Sequence, residues 1–370
     1  MRIPQQLLPA DGRFGSGPSK IPEAAVAGLA RTGAGVLGTS HRQAPVRSLV
    51  GRVRAGLGEL FAPPAGYEVV LGLGGSTAFW DIATHALIRQ HAQHCTFGEF
   101  SAKFASCTAR APWLAEPDVR SAPPGQLITP LGQPGTDSYA WPHNETSTGV
   151  MAPVVRPAGA DTDALVLIDA TSAAGGLGVQ LGQCDVYYFA PQKGFASDGG
   201  LWLALLSPRA VARVGEIAAS GRYIPDFFDL AAALDNSRRD QTLNTPAIAT
   251  LLLLDAQLQA MLASGGLPAA TARTAESARR LYGWADAHEV AQPFVGDPAV
   301  RSQVVATVDF DASVDAAALA GVLRENGILD TEPYRKLGRN QLRIGMYPAV
   351  DPDDISALLS CIDWTLQQLL

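Results

Sequence analysis

Cysteine is scarce in this chain. There are four in 370 residues, Cys95, Cys107, Cys184 and Cys361. No two form a CxxC pair and no His/Cys group has zinc spacing, so neither a thiolate metal site nor a disulfide framework organises the fold. Scattered thiols of this kind read as small apolar side chains in a reducing compartment. Long apolar runs are missing as well. Nothing approaches the roughly 18 residues of a membrane span, and Asp255 cuts short the run Leu251-Leu-Leu-Leu254. The N-terminus has no basic start with an apolar stretch behind it, so no signal peptide is expected. There is no basic tract and no Lys/Arg stripe interleaved with aromatics, and the net charge is −7, which argues against a nucleic-acid partner. Neither the GK[ST] of a Walker loop nor GxGxxG spacing occurs. These absences leave the expectation of a soluble cytoplasmic protein with no metal, membrane or nucleic-acid partner.

What is present is globular. Apolar residues make up 47% and charged residues 17%, too apolar for disorder. The length exceeds the size at which one core stops growing, so two domains are expected. Residues 1–20 are rich in Pro and Gly and read as an extended arm. From about residue 66, short apolar runs alternate with helix-like stretches. Strands are expected at 67–73, 94–97, 165–168, 186–189 and 201–206, with a helix at 77–90. Several of these are continuous apolar runs, as in strands buried on both faces of a largely parallel sheet. This is a doubly wound α/β pattern. After Asn244-Thr245-Pro246 the pattern changes. Helices are expected at 248–262, 271–288, 315–326 and 353–370, and strands at 302–309 and 341–346, which make a compact α+β unit. The boundary is expected near 245–265, giving a large domain over 21–255 and a small one over 256–370.

The chemistry concentrates at strand ends. In Asp185-Val-Tyr-Tyr-Phe-Ala-Pro-Gln-Lys193, an apolar run leads to a lysine among small residues. Most lysines are solvated, but these flanks are not surface-like, and burial would lower the amine's pKa and make it a better nucleophile. A second run, Ala164-Leu-Val-Leu-Ile168, ends in Asp169, which alone could equally be a helix N-cap. Together they suit a pyridoxal-phosphate site, where an acid pairs with the ring nitrogen and an amine forms a Schiff base. Gly72-Leu-Gly-Gly-Ser-Thr77 follows a strand and opens a helix, so it can seat an anion or serve as an ordinary turn. The segment Asn144-Glu-Thr-Ser-Thr148 is a polar turn whose hydroxyls could reach a phenolate. Phe100 could lie over an aromatic ring or sit in the core. Arg343, inside the apolar strand Gln341-Leu-Arg-Ile-Gly-Met346, needs an anion, either a substrate carboxylate or a structural acid. His41-Arg42 lies in a loop.

Taken in order and spacing, these segments resemble the phosphoserine aminotransferase family of class V, fold-type-I pyridoxal-phosphate enzymes. The matching pieces are Phe14-Gly-Ser-Gly-Pro-Ser19, Ser40-His-Arg42, Gly74-Gly-Ser-Thr77, Gly98-Glu-Phe-Ser101, Asn144-Glu-Thr146, Ile168-Asp-Ala-Thr-Ser172, Ala190-Pro-Gln-Lys-Gly194 and Leu243-Asn-Thr-Pro246. The resemblance implies a large domain with a mostly parallel seven-stranded sheet and a smaller α+β domain. It implies the cofactor pyridoxal 5'-phosphate and reversible amino transfer between glutamate and 3-phosphohydroxypyruvate, giving O-phosphoserine and 2-oxoglutarate, as in serine biosynthesis. Lys193 would be the Schiff-base lysine, Asp169 the partner of the ring nitrogen and Thr146 that of the phenolic oxygen. Gly75, Ser76, Thr77 and Gln192 would hold the cofactor phosphate, joined by Asn244 and Thr245 from the partner subunit of a homodimer. His41 and Arg42 would bind the distal phosphate or carboxylate of the substrate, and Arg343 its α-carboxylate in a bidentate fork. Two features depart from the family. Phe100 stands where many members stack a tryptophan, and the His-Arg pair usual before the Arg343 position is replaced by Tyr334-Arg-Lys-Leu-Gly-Arg339, in which Arg335, Lys336 or Arg339 could supply charge. Other class V activities, such as alanine–glyoxylate transamination or cysteine desulfuration, and a non-catalytic nucleotide-binding protein are the competing readings.

Overall fold

The computed structural model describes residues 1–369. Its strands, in chain order, are β1 Glu68–Leu73, β2 Ala92–Thr96, β3 Asp118–Ser121, β4 Ser138–Pro142, β5 Asn144–Glu145, β6 Val150–Met151, β7 Leu165–Asp169, β8 Val186–Phe189, β9 Leu201–Leu206, β10 Ala291–Pro293, β11 Val305–Phe310 and β12 Gln341–Gly345. Seven of them form one sheet in the order β1-β9-β8-β7-β4-β2-β3. β3, β2, β4, β7 and β8 run parallel, and β9 lies antiparallel between β8 and β1. β1 therefore points the same way as the parallel five. The carboxyl ends of β1, β4, β7 and β8 open on one edge, where open α/β sheets bind ligands.

The apolar runs are continuous because both faces of the sheet are covered. Val166, Ile168, Tyr187 and Phe189 enter one core, while Leu165, Leu167, Val186 and Tyr188 enter the other. This is the two-residue alternation of a pleated strand. The first face is packed by helix Ala44–Phe61 through Val46, Leu49, Val53 and Leu57, and by helix Ile248–Ala263 through Leu251, Leu254 and Leu258. The second face is packed by helix Ser76–Ala86 through Phe79, Trp80 and Ile82, and by helix Glu99–Ala109 through Phe104.

The three-stranded sheet β10-β11-β12 packs with helices Gly266–Ala287, Ala316–Glu325 and Pro352–Leu369 around a further core. The helix expected over 353–370 is thus Pro352–Leu369, and Leu370 lies outside the described residues. A cut at 255/256 falls inside helix Ile248–Ala263, whose Ile248, Leu251, Leu254, Leu258 and Met261 all belong to the first core. We propose the turn at Ser264–Gly265 as the junction. The N-terminal arm is tied down. Ile3 and Phe14 sit in the C-terminal core, the Phe14 carbonyl accepts from Gly345 N at 2.7 Å, and Tyr347 Oη donates to the Ser16 carbonyl at 2.8 Å.

Two strands of the large sheet were not expected from the sequence. β4 ends in a proline and starts with a serine, yet all its residues are buried. Pro142 is tolerated because it pairs at the strand's last position, opposite Asp169. β3 is a four-residue edge strand whose exposure alternates, so its polar sequence carries no apolar run.

Candidate active site

The chain contains four lysines. Lys20 pairs with Asp11 and Asp354, and Lys103 and Lys336 pair with Glu99. Among the described residues only Lys193 has no carboxylate within ion-pair distance, and it is buried, at 8% exposure. It stands just beyond β8, and its Nζ donates to Thr146 Oγ1 at 3.0 Å. Burial pushes the amine down to about 8; the Asp169 carboxylate opposes this shift and Arg343 adds to it. The Phe100 ring centroid lies 5.4 Å from the amine. Over it runs the arm: a Cβ at Gly17 would lie 2.5 Å from Lys193 Cε, and the residue's φ of +148° favours glycine there.

Asp169 ends β7, beside β8, so adjacent parallel strands present the acid and the amine on the same edge. Its Oδ2 accepts from Trp80 Nε1 at 2.9 Å and Tyr188 Oη at 3.2 Å, and its Oδ1 accepts from the Thr171 amide at 3.0 Å and the Thr171 hydroxyl. The carboxylate is held by neutral donors and, among the described residues, forms no ion pair, which suits pairing with a pyridinium. The turn after β1 leads into helix Ser76–Ala86, whose N-terminus carries no side-chain cap. Its first amides are free to point at an anion.

These groups line one cavity of about 430 Å³, together with Gly17, Phe100, Asn144, Ser172 and Gln192. Gln192 Oε1 and Asn144 Oδ1 are buried without partners. Uncapped amides, an amine without an ion pair and an acid with neutral donors together fit a phosphorylated pyridine aldehyde. Gly75, Ser76, Thr77 and Gln192 could hold its phosphate, Asp169 its ring nitrogen and Thr146 its phenolic oxygen. Among the described residues no cluster fits a metal ion. No cysteine lines the cavity. All four are free and buried, and burial pushes Cys95 and Cys107 up to about 12, so no thiol is poised for desulfuration.

Arg343, on β12, reaches the Thr146 carbonyl with Nη1 at 3.3 Å, and its Nε is buried without a partner. Among the described residues it forms no ion pair, although a partly buried guanidinium needs an anion. His41, Arg42, Asn244 and Thr245 lie outside the cavity. Thr245 Oγ1 hydrogen-bonds His41 Nδ1 at 3.1 Å, and Arg42 donates to Gln241 Oε1 at 2.8 Å, forming one exposed cluster. In the Tyr334–Arg339 segment, Arg339 is committed to the Asp309 carboxylate and Lys336 to Glu99, which leaves Arg335 exposed and without an ion pair.

Sequence reasoning missed Trp80, Tyr188, Thr171, Gly17 and Glu145. Trp80 and Tyr188 read as core aromatics, and only the fold turns their polar atoms toward Asp169. Gly17 belonged to a recognised segment, but its contact with Lys193 spans the whole domain.

An amine of pKa about 8 is mostly protonated below that pH and neutral above it. Capture of pyridoxal phosphate by the apoprotein, followed by the growth of visible absorbance, is expected to speed up roughly tenfold from pH 7 to pH 9 and then level off. A rate that keeps climbing toward pH 10.5 would mean the amine is not perturbed.

Comparison with known proteins agrees with this geometry. The sequence profile described as aminotransferase class-V matches residues 38–358. A protein of a Nocardioides strain named phosphoserine aminotransferase is 62% identical over 370 residues, covering 100% of this chain and 99% of the relative. One of the same name from Rhodococcus opacus is 59% identical over 367 residues, covering 99% and 98%. The crystal structure of a phosphoserine aminotransferase from Cytophaga hutchinsonii superposes with a TM-score of 0.89 at 21% identity, covering 96% and 99%, which speaks to the fold. The chain belongs to the class V aminotransferase family and is a pyridoxal-phosphate enzyme of fold type I.

Proposed function

We propose that the chain is a phosphoserine aminotransferase, moving an amino group between glutamate and 3-phosphohydroxypyruvate. The observation that carries this reading is the cavity in which the buried Lys193 amine shares one lining with Asp169, Thr146 and the Gly75–Thr77 turn. Among the described residues Lys193 is a buried amine with no carboxylate at ion-pair distance, and Arg343, near it on β12, is a partly buried guanidinium that forms no ion pair. Relatives named for this activity at about 60% identity over the whole chain supply the substrate class.

When bound, pyridoxal phosphate supplies an aldehyde for the amine and a ring that takes up electrons released at the substrate α-carbon. Asp169, fixed by Trp80, Tyr188 and Thr171, keeps the ring nitrogen protonated. Thr146 orients the Lys193 amine and offers its hydroxyl to the phenolic oxygen. With the cofactor bound, the Lys193 amine would be placed to take and return the proton at the substrate α-carbon. Arg343 grips the α-carboxylate with two parallel N–H bonds. Phe100 and the arm residues Gly17 and Pro18 line the cavity beside the amine.

The expected assay result with purified protein and glutamate is turnover of phosphohydroxypyruvate. Its unphosphorylated analogue should fall at least about 100-fold in kcat/KM, because the anchoring charges at the distal end go unpaired. Equal turnover of the two would sink the substrate assignment.

The homodimer belongs to the same proposal. His41, Arg42, Asn244 and Thr245 cluster on the surface, away from the cavity of their own chain. The preceding helix Glu23–Thr32 has no buried residue, with Val26 at 49% exposure, and Leu37 in the loop that follows is at 43%. A second copy covering this face would bring the cluster to the partner's cavity. Two inactive variants test it. Lys193→Ala and Arg42→Ala chains, mixed and allowed to exchange, should regain about a quarter of wild-type activity, since half the dimers are mixed and each holds one intact site. No recovery from a demonstrably mixed dimer would place Arg42 in the service of its own chain.

A further inference from the structure

Glu145 is the buried acid that the proposed chemistry leaves unused. It is fully buried, and among the described residues no cation pairs with it. Its carboxylate is satisfied only by neutral donors. Oε2 accepts the Ser101 amide at 2.9 Å and the Ser101 hydroxyl at 2.8 Å, and Oε1 accepts the Phe100 amide at 3.3 Å, the Ser147 amide at 3.2 Å and the Ser147 hydroxyl at 2.7 Å. Helix Glu99–Ala109 starts at Gly98 with no side-chain cap of its own, so Glu145 caps it from a distant strand. The approach is close: a Cβ at Gly98 would lie 2.4 Å from Glu145 Cγ.

The residues held in this way flank the amine. Phe100 is in the first turn of the capped helix, 5.4 Å from Lys193 Nζ. Thr146 follows Glu145 in the chain and takes the amine's hydrogen bond. A charge kept in the interior with no cation is costly unless its hydrogen bonds are complete.

We propose that Glu145 is a positioning residue of the transamination site, locking Phe100 and Thr146 at a set distance on either side of Lys193 and so fixing the slot that receives the cofactor ring. This rests on the pyridoxal-phosphate reading of the cavity. In Glu145→Gln, an amide nitrogen must face one of the N–H or O–H donors, so at least one tether turns repulsive.

The test uses full-length holoprotein and three variants, read by the visible circular dichroism of the bound cofactor, its dissociation constant, and kcat and KM separately. Glu145→Gln is expected to lose more than about half of the visible ellipticity and weaken cofactor binding roughly tenfold, with KM for phosphohydroxypyruvate shifting less than about threefold. Ser147→Ala, which removes one donor, should move the same readouts in the same direction by a smaller step. Asp137→Asn is the control. That buried carboxylate accepts from Gln90 and His91 amides and pairs with Arg213 far from the cavity, so it should lower thermal stability and leave the cofactor readouts alone. The proposal is overturned if Glu145→Gln behaves like Asp137→Asn, with ellipticity and dissociation constant within about twofold of wild type. If Glu145→Gln does not fold, Ser147→Ala decides, and an ellipticity and dissociation constant indistinguishable from wild type overturn the proposal. Wild-type protein that takes up no cofactor and shows no visible band would instead sink the cofactor reading itself.

Discussion

The site depends on one constraint, which is that a lysine amine is kept in the interior with no carboxylate to neutralise it. Every other lysine of the chain is ion-paired. Burial lowers the pKa of Lys193 to about 8, and a paired carboxylate would raise it again. The fold achieves this by placing Asp169 on the neighbouring strand, near enough to be felt and too far to pair, with its oxygens already occupied by Trp80, Tyr188 and Thr171. The C-terminal unit contributes Arg343, whose charge adds to the depression. The N-terminal arm closes the lid, with Gly17 against the lysine's Cε.

Much of this was legible in the sequence, for a physical reason. Strands buried on both faces must be continuously apolar, so a polar residue that ends such a run stands out. Asp169 and Lys193 were visible on that ground, as was Arg343 inside an apolar strand. The five strands expected in the large domain all exist, β2 with its bounds shifted to Ala92–Thr96. β3 and β4 stayed hidden because an edge strand and a proline-ended strand carry no such signature. The groups that orient the catalytic ones were illegible for another reason. Trp80, Tyr188 and Glu145 act through polar atoms whose direction is set by tertiary packing, and the sequence shows only an aromatic or an acid in plausible company.

The substrate end was the least legible. The Tyr334–Arg339 segment offers three cations of equal promise in sequence. In the structure Arg339 belongs to Asp309 and Lys336 to Glu99, so the segment is partly spent on tying the two units together. Phe100, in place of the usual tryptophan, is held by the capped helix rather than by its own bulk. Its ring lies 6.0 Å from Tyr334, whose ring is 5.4 Å from the Arg343 guanidinium.

The central claim is that one amine of the four is the nucleophile. Borohydride reduction of the holoprotein, followed by proteolysis and peptide mass spectrometry, tests it most directly. The account predicts a single pyridoxyl group on Lys193. A label on Lys20, Lys103 or Lys336 with Lys193 unmodified would contradict it.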